Sequence, residues 1–113
     1  MNRGDIVVSA APGDYGKPRP AVVVQSDSFN PTHASVVICP ITSHVVDAPL
    51  FRLAIEPAPE NGLKTASQIM IDKITAVKRE RLGKRIGRLT ASQLARVNRA
   101  LATWLDLADQ PKP

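Results

Sequence analysis

Apolar residues come in short runs separated by proline- and glycine-rich breaks, until the last quarter of the chain, where the spacing changes. Ile6-Val7-Val8, Ala21-Val22-Val23-Val24 and Val36-Val37-Ile38-Cys39 are rich in β-branched residues and predict short strands. Because these runs are continuous rather than alternating, the strands should be covered on both faces, as in a small closed barrel. Leu50 to Ile55 roughly alternates, and Ile69 to Val77 reads as the last long strand. Turn-forming residues lie between them: Ala11 to Pro18 with two glycines and two prolines, Asn30-Pro31, Pro40 closing the third run, and Pro57 to Asn61-Gly62.

From Thr90 onward Leu94, Val97, Leu101, Trp104, Leu105 and Ala108 recur at mostly helical spacing and form one apolar helix face. Thr90-Ala91-Ser92-Gln93 reads as its capping box, the hydroxyl meeting an orphan amide while the glutamine reaches back. The basic stretch before it, with Gly83 and Gly87, reads as a connector. No repeat, low-complexity segment or linker divides the chain. The pattern predicts a single domain over residues 1–113, mainly β: a five- or six-stranded antiparallel barrel with one packed C-terminal α-helix. Residues from about 108 should form a frayed tail. The helix face is expected in the core and in dimer packing.

Composition narrows the picture. A chain of 113 residues has room for one core, and with 43% hydrophobic but only 4% aromatic residues that core must be aliphatic. The net charge of +5 fits an anionic partner. No segment approaches the ~18 consecutive apolar residues of a membrane span, and the polar start Met1 to Asp5 lacks a signal peptide's apolar run. A soluble, cytoplasmic protein is expected. The single cysteine, Cys39, forms no intramolecular disulfide and fits a reducing compartment. Within its Val/Ile run it reads as a small buried hydrophobe rather than a nucleophile. His33 and His44 stand apart without ligand spacing, so no metal site and no cofactor are expected. Gly13 to Pro18 lacks the spacing of a phosphate loop.

Two loop-to-strand junctions hold candidate chemistry. Arg19 stands between Pro18 and Pro20, where its backbone is restricted and its guanidinium can be held in place. The Val36 to Cys39 run delivers Thr42, Ser43 and His44 at its end, two hydroxyls and an imidazole. Taken singly, these read equally as a surface charge and a turn. Lys78, Arg79, Arg81, Lys84, Arg85 and Arg88 form either a solvated connector or a rim that guides a polyanion.

Several short motifs follow one another in order. They are Arg3-Gly4-Asp5-Ile6-Val7, Arg19-Pro20-Ala21-Val22-Val23-Val24 and Cys39-Pro40-Ile41-Thr42-Ser43, then Gly62-Leu63, Ala66-Ser67, Ile71-Asp72, Arg81-Leu82-Gly83 and Gly87-Arg88-Leu89. Through them the chain resembles the MazF/PemK family of type II toxin–antitoxin toxins, from Arg3 to about Leu107. The resemblance implies an SH3-like antiparallel β-barrel with a C-terminal helix, assembled as a homodimer. It also implies sequence-specific, metal-independent cleavage of single-stranded RNA by the neighbouring 2′-hydroxyl. The ends left would be a 2′,3′-cyclic phosphate and a 5′-hydroxyl, and a cognate acidic antitoxin would silence the enzyme.

By position, the family's catalytic pair falls on Arg19 and Thr42. RNA contacts are expected from Asp14, Tyr15, Lys17, Ser43, His44 and Lys73. Asp14 stands where relatives often carry a glutamate, and Lys73 where many carry a glutamine, which implies a different base readout. Asp14 and His44 are the candidates for removing the 2′-proton, histidine being the side-chain type that titrates nearest neutrality. His33 is expected merely to be exposed. One alternative is a CcdB-like toxin of the same fold that binds DNA gyrase and cleaves nothing; toxins of that kind lack the Arg-Pro and Pro-x-Thr pair present here. Another is a non-catalytic RNA-binding barrel. It would need stacking platforms, for which the chain offers only Tyr15, Phe29, Phe51 and Trp104.

Overall fold

A computed structural model describes residues 1–10 and 17–107. The expectations for Asp14 and Tyr15, and for the tail from about residue 108, therefore lie outside the described residues. The strands are β1 (Asp5–Ser9), β2 (Arg19–Val23), β3 (Ser35–Thr42), β4 (Arg52–Ile55), β5 (Ser67–Met70), β6 (Thr75–Lys78) and β7 (Leu82–Arg88). The helix α1 (Ala91–Trp104) follows, and two short 3-10 turns cover Ile71–Lys73 and Arg79–Arg81. Every pairing is antiparallel, in the order β4-β5-β3-β2-β1-β7, with β6 also paired to β3.

Successive side chains on a strand point to opposite faces, and here both faces are covered. Val7, Ala21, Val23, Val36, Ile38 and Val77 form one buried cluster. Ile6, Val22, Cys39 and Ile41 belong to a second, which also takes in Leu53, Ile55, Ile69, Ile71 and the helix residues Val97, Ala100 and Leu101. That is why the first three strands read as unbroken apolar runs.

Three elements differ from the sequence reading. First, β3 does not stop at Pro40 but runs through it to Thr42. Val24 N–H donates to Val37 O, so the polar backbone groups of odd-numbered β3 residues face β2 and those of even-numbered ones face β5 and β6. The N–H that Pro40 lacks would point to the β5/β6 side. There the ladder is already interrupted: Ile38 pairs with Thr75 and Ile41 with Ile69, so Cys39 and Pro40 face the whole segment from Met70 to Ile74. A proline in mid-strand costs no ladder bond at such a gap.

Second, the same interruption splits the expected long strand Ile69–Val77 into β5 and β6, with the turn Ile71–Lys73 between them. Third, the expected basic connector is β7. Its outward positions carry Lys84, Arg85 and Arg88, charges that suit an edge strand, and this dilutes its apolar signal to Leu82 and Ile86.

Close backbone approach joins β7 to the loop between β4 and β5. Arg88 N–H donates to Glu60 O at 2.8 Å. A Cβ on Gly87 would lie 2.4 Å from the carbonyl carbon of Asn61, and one on Gly62 would lie 2.2 Å from Ile86 O. Gly62 also has a φ of +70°, which only glycine adopts readily. These two glycines let that loop lie directly on β7.

The capping box is present: Gln93 N–H donates to Thr90 Oγ1 at 3.1 Å, and Thr90 N–H donates to Gln93 Oε1 at 2.8 Å. Such caps stabilise a helix by about 1 kcal/mol. Val97 and Leu101 are buried and Leu94 half-buried, but Trp104 is 46% exposed and Leu105 44%. The apolar period therefore outlasts the buried layer, and the Trp104 ring packs against Phe51, with centroids 5.2 Å apart.

Candidate functional site

The β2–β3 ladder ends at Ala21–Pro40, and a proline sets that limit. By the same backbone alternation, even-numbered residues of β2 face β3, so the missing N–H of Pro20 is the one that would have reached Ile41. Beyond this point the strands separate and a cleft of about 650 Å³ opens. Lys17, Arg19, Pro20, Ile41, Ser43 and Lys64 are among the residues that line it. Among the described lining residues are three cations and no carboxylate, a composition suited to phosphate.

Arg19, the first residue of β2, is exposed and lies in register with Ser9 of β1. Continuing the β2–β3 register past Ala21–Pro40 sets Arg19 opposite Thr42, and Thr42 in turn pairs with Gln68 of β5. Directly opposed residues share a face. Ser9 with Arg19 and Thr42 with Gln68 are thus two opposed polar pairs, one on each side of the point where the β2–β3 ladder ends, and Thr42 itself is not among the described residues that line the cleft. Thr42 is buried at 8% exposure, and its Oγ1 accepts His44 N–H at 3.0 Å, leaving the hydroxyl proton available to donate.

Lys17 and Ser43 join Arg19 at the cleft, as expected. His44 is exposed on the loop after β3 and does not line the cleft. Lys73 is exposed at the end of the 3-10 turn and does not line it either, so the structure does not bring it to Arg19. The reading of the residues had passed over Ser9, Lys64 and Gln68. The Ser9 hydroxyl is buried without a hydrogen-bond partner among the described residues. Gln68 is 6% exposed and binds one residue at both ends of its amide: its Oε1 accepts Val46 N–H at 3.1 Å, and its Nε2 donates to Val46 O at 2.8 Å. Local sequence carried no signal for these residues, because strand register places Ser9 and Gln68 opposite Arg19 and Thr42, and the β4–β5 loop brings Lys64 to the cleft.

Part of the basic run is structural. Arg79 donates from Nε and Nη2 to His33 O at 3.0 and 2.9 Å, and also to Asn30 O. Arg81 donates to Ala10 O at 3.2 Å, and Arg85 pairs with the buried Asp5 at 3.1 Å. Lys78, Lys84 and Arg88 are the exposed remainder. His33 is exposed.

Away from the cleft, Arg52 and Asp72 form a two-pronged ion pair, Nε to Oδ1 at 2.7 Å and Nη2 to Oδ2 at 2.9 Å. The Arg52 guanidinium holds the Asp72 carboxyl below the usual carboxylate range. Cys39 is fully buried and burial pushes its thiol up to about 12, as befits a core residue rather than a nucleophile. Among the described residues no group of three His, Cys, Asp or Glu side chains is placed to hold a metal ion. No described helix is long and apolar enough to cross a membrane.

Comparison with known proteins identifies the family to which this sheet, helix and cleft belong. Residues 2–105 match the model of the PemK-like, MazF-like toxins of type II toxin–antitoxin systems, and the chain belongs to that family. It is 50% identical over 109 residues to the probable endoribonuclease MazF of Mycolicibacterium smegmatis, covering 96% of this chain and 99% of the relative. Endoribonuclease MazF9 of Mycobacterium tuberculosis is 31% identical over 116 residues, covering 95% and 98%. Among solved structures, an endoribonuclease in complex with its cognate antitoxin from a mycobacterial species superposes with a TM-score of 0.79. It is 26% identical, with 100% of this chain and 99% of that one covered.

Proposed function

We propose that this chain is a toxin endoribonuclease that cleaves single-stranded RNA at a short sequence around the Arg19 cleft, without a metal. One observation supports the reading: Arg19 lines a cationic cleft just past the end of the β2–β3 ladder, and extending that register beyond Ala21–Pro40 would bring it toward Thr42, the last residue of β3. The substrate's own 2′-hydroxyl attacks the adjacent phosphorus, the P–O5′ bond breaks, and a 2′,3′-cyclic phosphate and a 5′-hydroxyl remain. Negative charge builds on the phosphoryl oxygens as attack proceeds. Arg19 meets that charge with the fixed donors of a planar guanidinium, and Thr42 donates its hydroxyl proton to a second oxygen and holds the group in line. Lys17 and Lys64 hold neighbouring phosphates, and Ser43 and His44 face the bases. Asp14 and His44 are the candidates for accepting the 2′-proton; the His44 backbone is tied to Thr42, although His44 does not line the cleft.

In this reading an acidic antitoxin segment lies across the same cleft and competes with RNA for Arg19, and the toxin acts as a homodimer. The test is incubation of the purified protein with mixed-sequence RNA in EDTA, followed by mapping of the cut ends. Cyclic-phosphate and 5′-hydroxyl ends are expected, with no cleavage where the cut nucleotide carries a 2′-deoxy sugar. Cutting of that deoxy substrate, or an absolute need for magnesium, would overturn the mechanism.

A further inference from the structure

We propose that Gln68 is a positioning residue that sets which bases the site accepts, by holding the loop from Ser43 to Val46 in one conformation. The inference rests on the ribonuclease reading above and assigns a role to a residue outside the cleft. The loop is fastened at two points. Thr42 Oγ1 takes the N–H of His44, and the Gln68 amide takes both the N–H and the carbonyl of Val46. Between and beside these fastenings Ser43, His44 and Val45 are exposed, and Ser43 also lines the cleft beside Arg19.

Fixing a loop costs backbone entropy at every residue, and base discrimination needs donors held to within about 0.5 Å. Gln68 supplies the fixation from a rigid element. It sits on β5 between Ile41's partner Ile69 and the buried Ser67, in register with Thr42 itself. A buried carboxamide is costly unless both of its ends are satisfied, and both are satisfied by this loop alone. The catalytic threonine and the loop clamp are thereby a single cross-strand pair, so loop position is tied to the position of the reacting phosphate.

The test compares wild type and Gln68→Leu on the preferred RNA sequence, once mapped, and on RNAs changed at one base beside the cut. The expected result is a preference reduced about tenfold, through a lower kcat/KM for the preferred sequence and little change for the others. Folded Gln68→Leu with the wild-type preference would overturn the proposal. Gln68→Glu keeps the acceptor for Val46 N–H and can donate to Val46 O only when protonated, so its preference should recover as pH falls. A flat pH profile relative to wild type would overturn the proposal even if Gln68→Leu does not fold. If wild type cleaves no RNA at all, the ribonuclease reading falls. Amide exchange at Val46 then still tests the clamp, and protection unchanged in folded Gln68→Leu or Gln68→Ala, which remove the acceptor for Val46 N–H, would overturn it.

Discussion

Arg19 opens β2 and Arg52 opens β4, but their surroundings differ. Arg52 is half-buried and closed into a fork with Asp72, each side chain 15% exposed. Arg19 is exposed on a cleft whose described lining holds two further cations and no acid. The difference traces to two gaps in the ladders of β3, one that the Met70–Ile74 segment makes opposite Pro40 and one at Pro20 of β2. On the β5/β6 side, opposite Pro40, a 3-10 turn fills the gap and brings Asp72 to Arg52. On the β2 side the gap at Pro20 stays open as the cleft. One interruption is filled by a turn, and among the described residues the other opens into the cleft.

The largest effects should separate these two arginines by assay. Arg19→Ala should lower cleavage by about 10²–10³-fold, the usual loss for one transition-state donor, while the melting temperature stays close to wild type. Arg19→Lys should be nearly as poor, because a point charge does not reproduce the planar fork. Cleavage by folded Arg19→Ala within a few-fold of wild type would remove Arg19 from the site.

Asp72→Asn should do the reverse, with a loss of about 1.5–3 kcal/mol of stability and cleavage per folded molecule retained. The same pair sets an acid limb. Asp72 has its carboxyl pKa lowered in the fold, so its contribution is complete above the unfolded value of about 3.9. It is lost as pH falls through the lower folded value. Thermal melts between pH 7 and 2 should show a shallower acid decline for Asp72→Asn than for wild type. Parallel curves would mean that the pair contributes nothing to folding.

The smallest effect concerns the open gap itself. Pro20→Ala restores an N–H facing Ile41 and lets the ladder extend by a bond worth about 1 kcal/mol. A comparable gain in unfolded-state entropy opposes it, so net stability should barely move. Slow hydrogen exchange at the new amide and a few-fold loss of cleavage, as the cleft narrows, are the expected signs. Fast exchange there would show that something other than the proline holds the strands apart.

Local chemistry made much of this legible. The apolar runs at residues 6–8, 21–24 and 36–39 marked strands covered on both faces, and Thr90 with Gln93 marked the helix start. Arg19 and Thr42 stood out through their motifs. The basic segment at residues 82–88 did not read as a strand, because an edge strand faces water and joins the sheet through backbone bonds that any side chain permits. Trp104 was placed in the core because periodicity reports which face is apolar, not how far the packed layer extends. Gln68 was invisible for a related reason, since nothing around it in the chain refers to Val46 or Thr42.

What the sequence by itself determined is set by neighbours along the chain: strand-forming runs, turns, the helix cap, an aliphatic core, excess positive charge and the motifs of the family. Side-chain shape, backbone restriction and hydrogen bonding within a few residues decide those features. Only the tertiary structure decided that the missing N–H of Pro20 opens a cleft while the gap at Pro40 is filled. It also decided that Gly62 and Gly87 let the β4–β5 loop lie on β7, and that Arg19 pairs with Ser9 and Thr42 with Gln68. These are matters of register between distant strands. A shift of one residue would turn each of those side chains to the other face of the sheet.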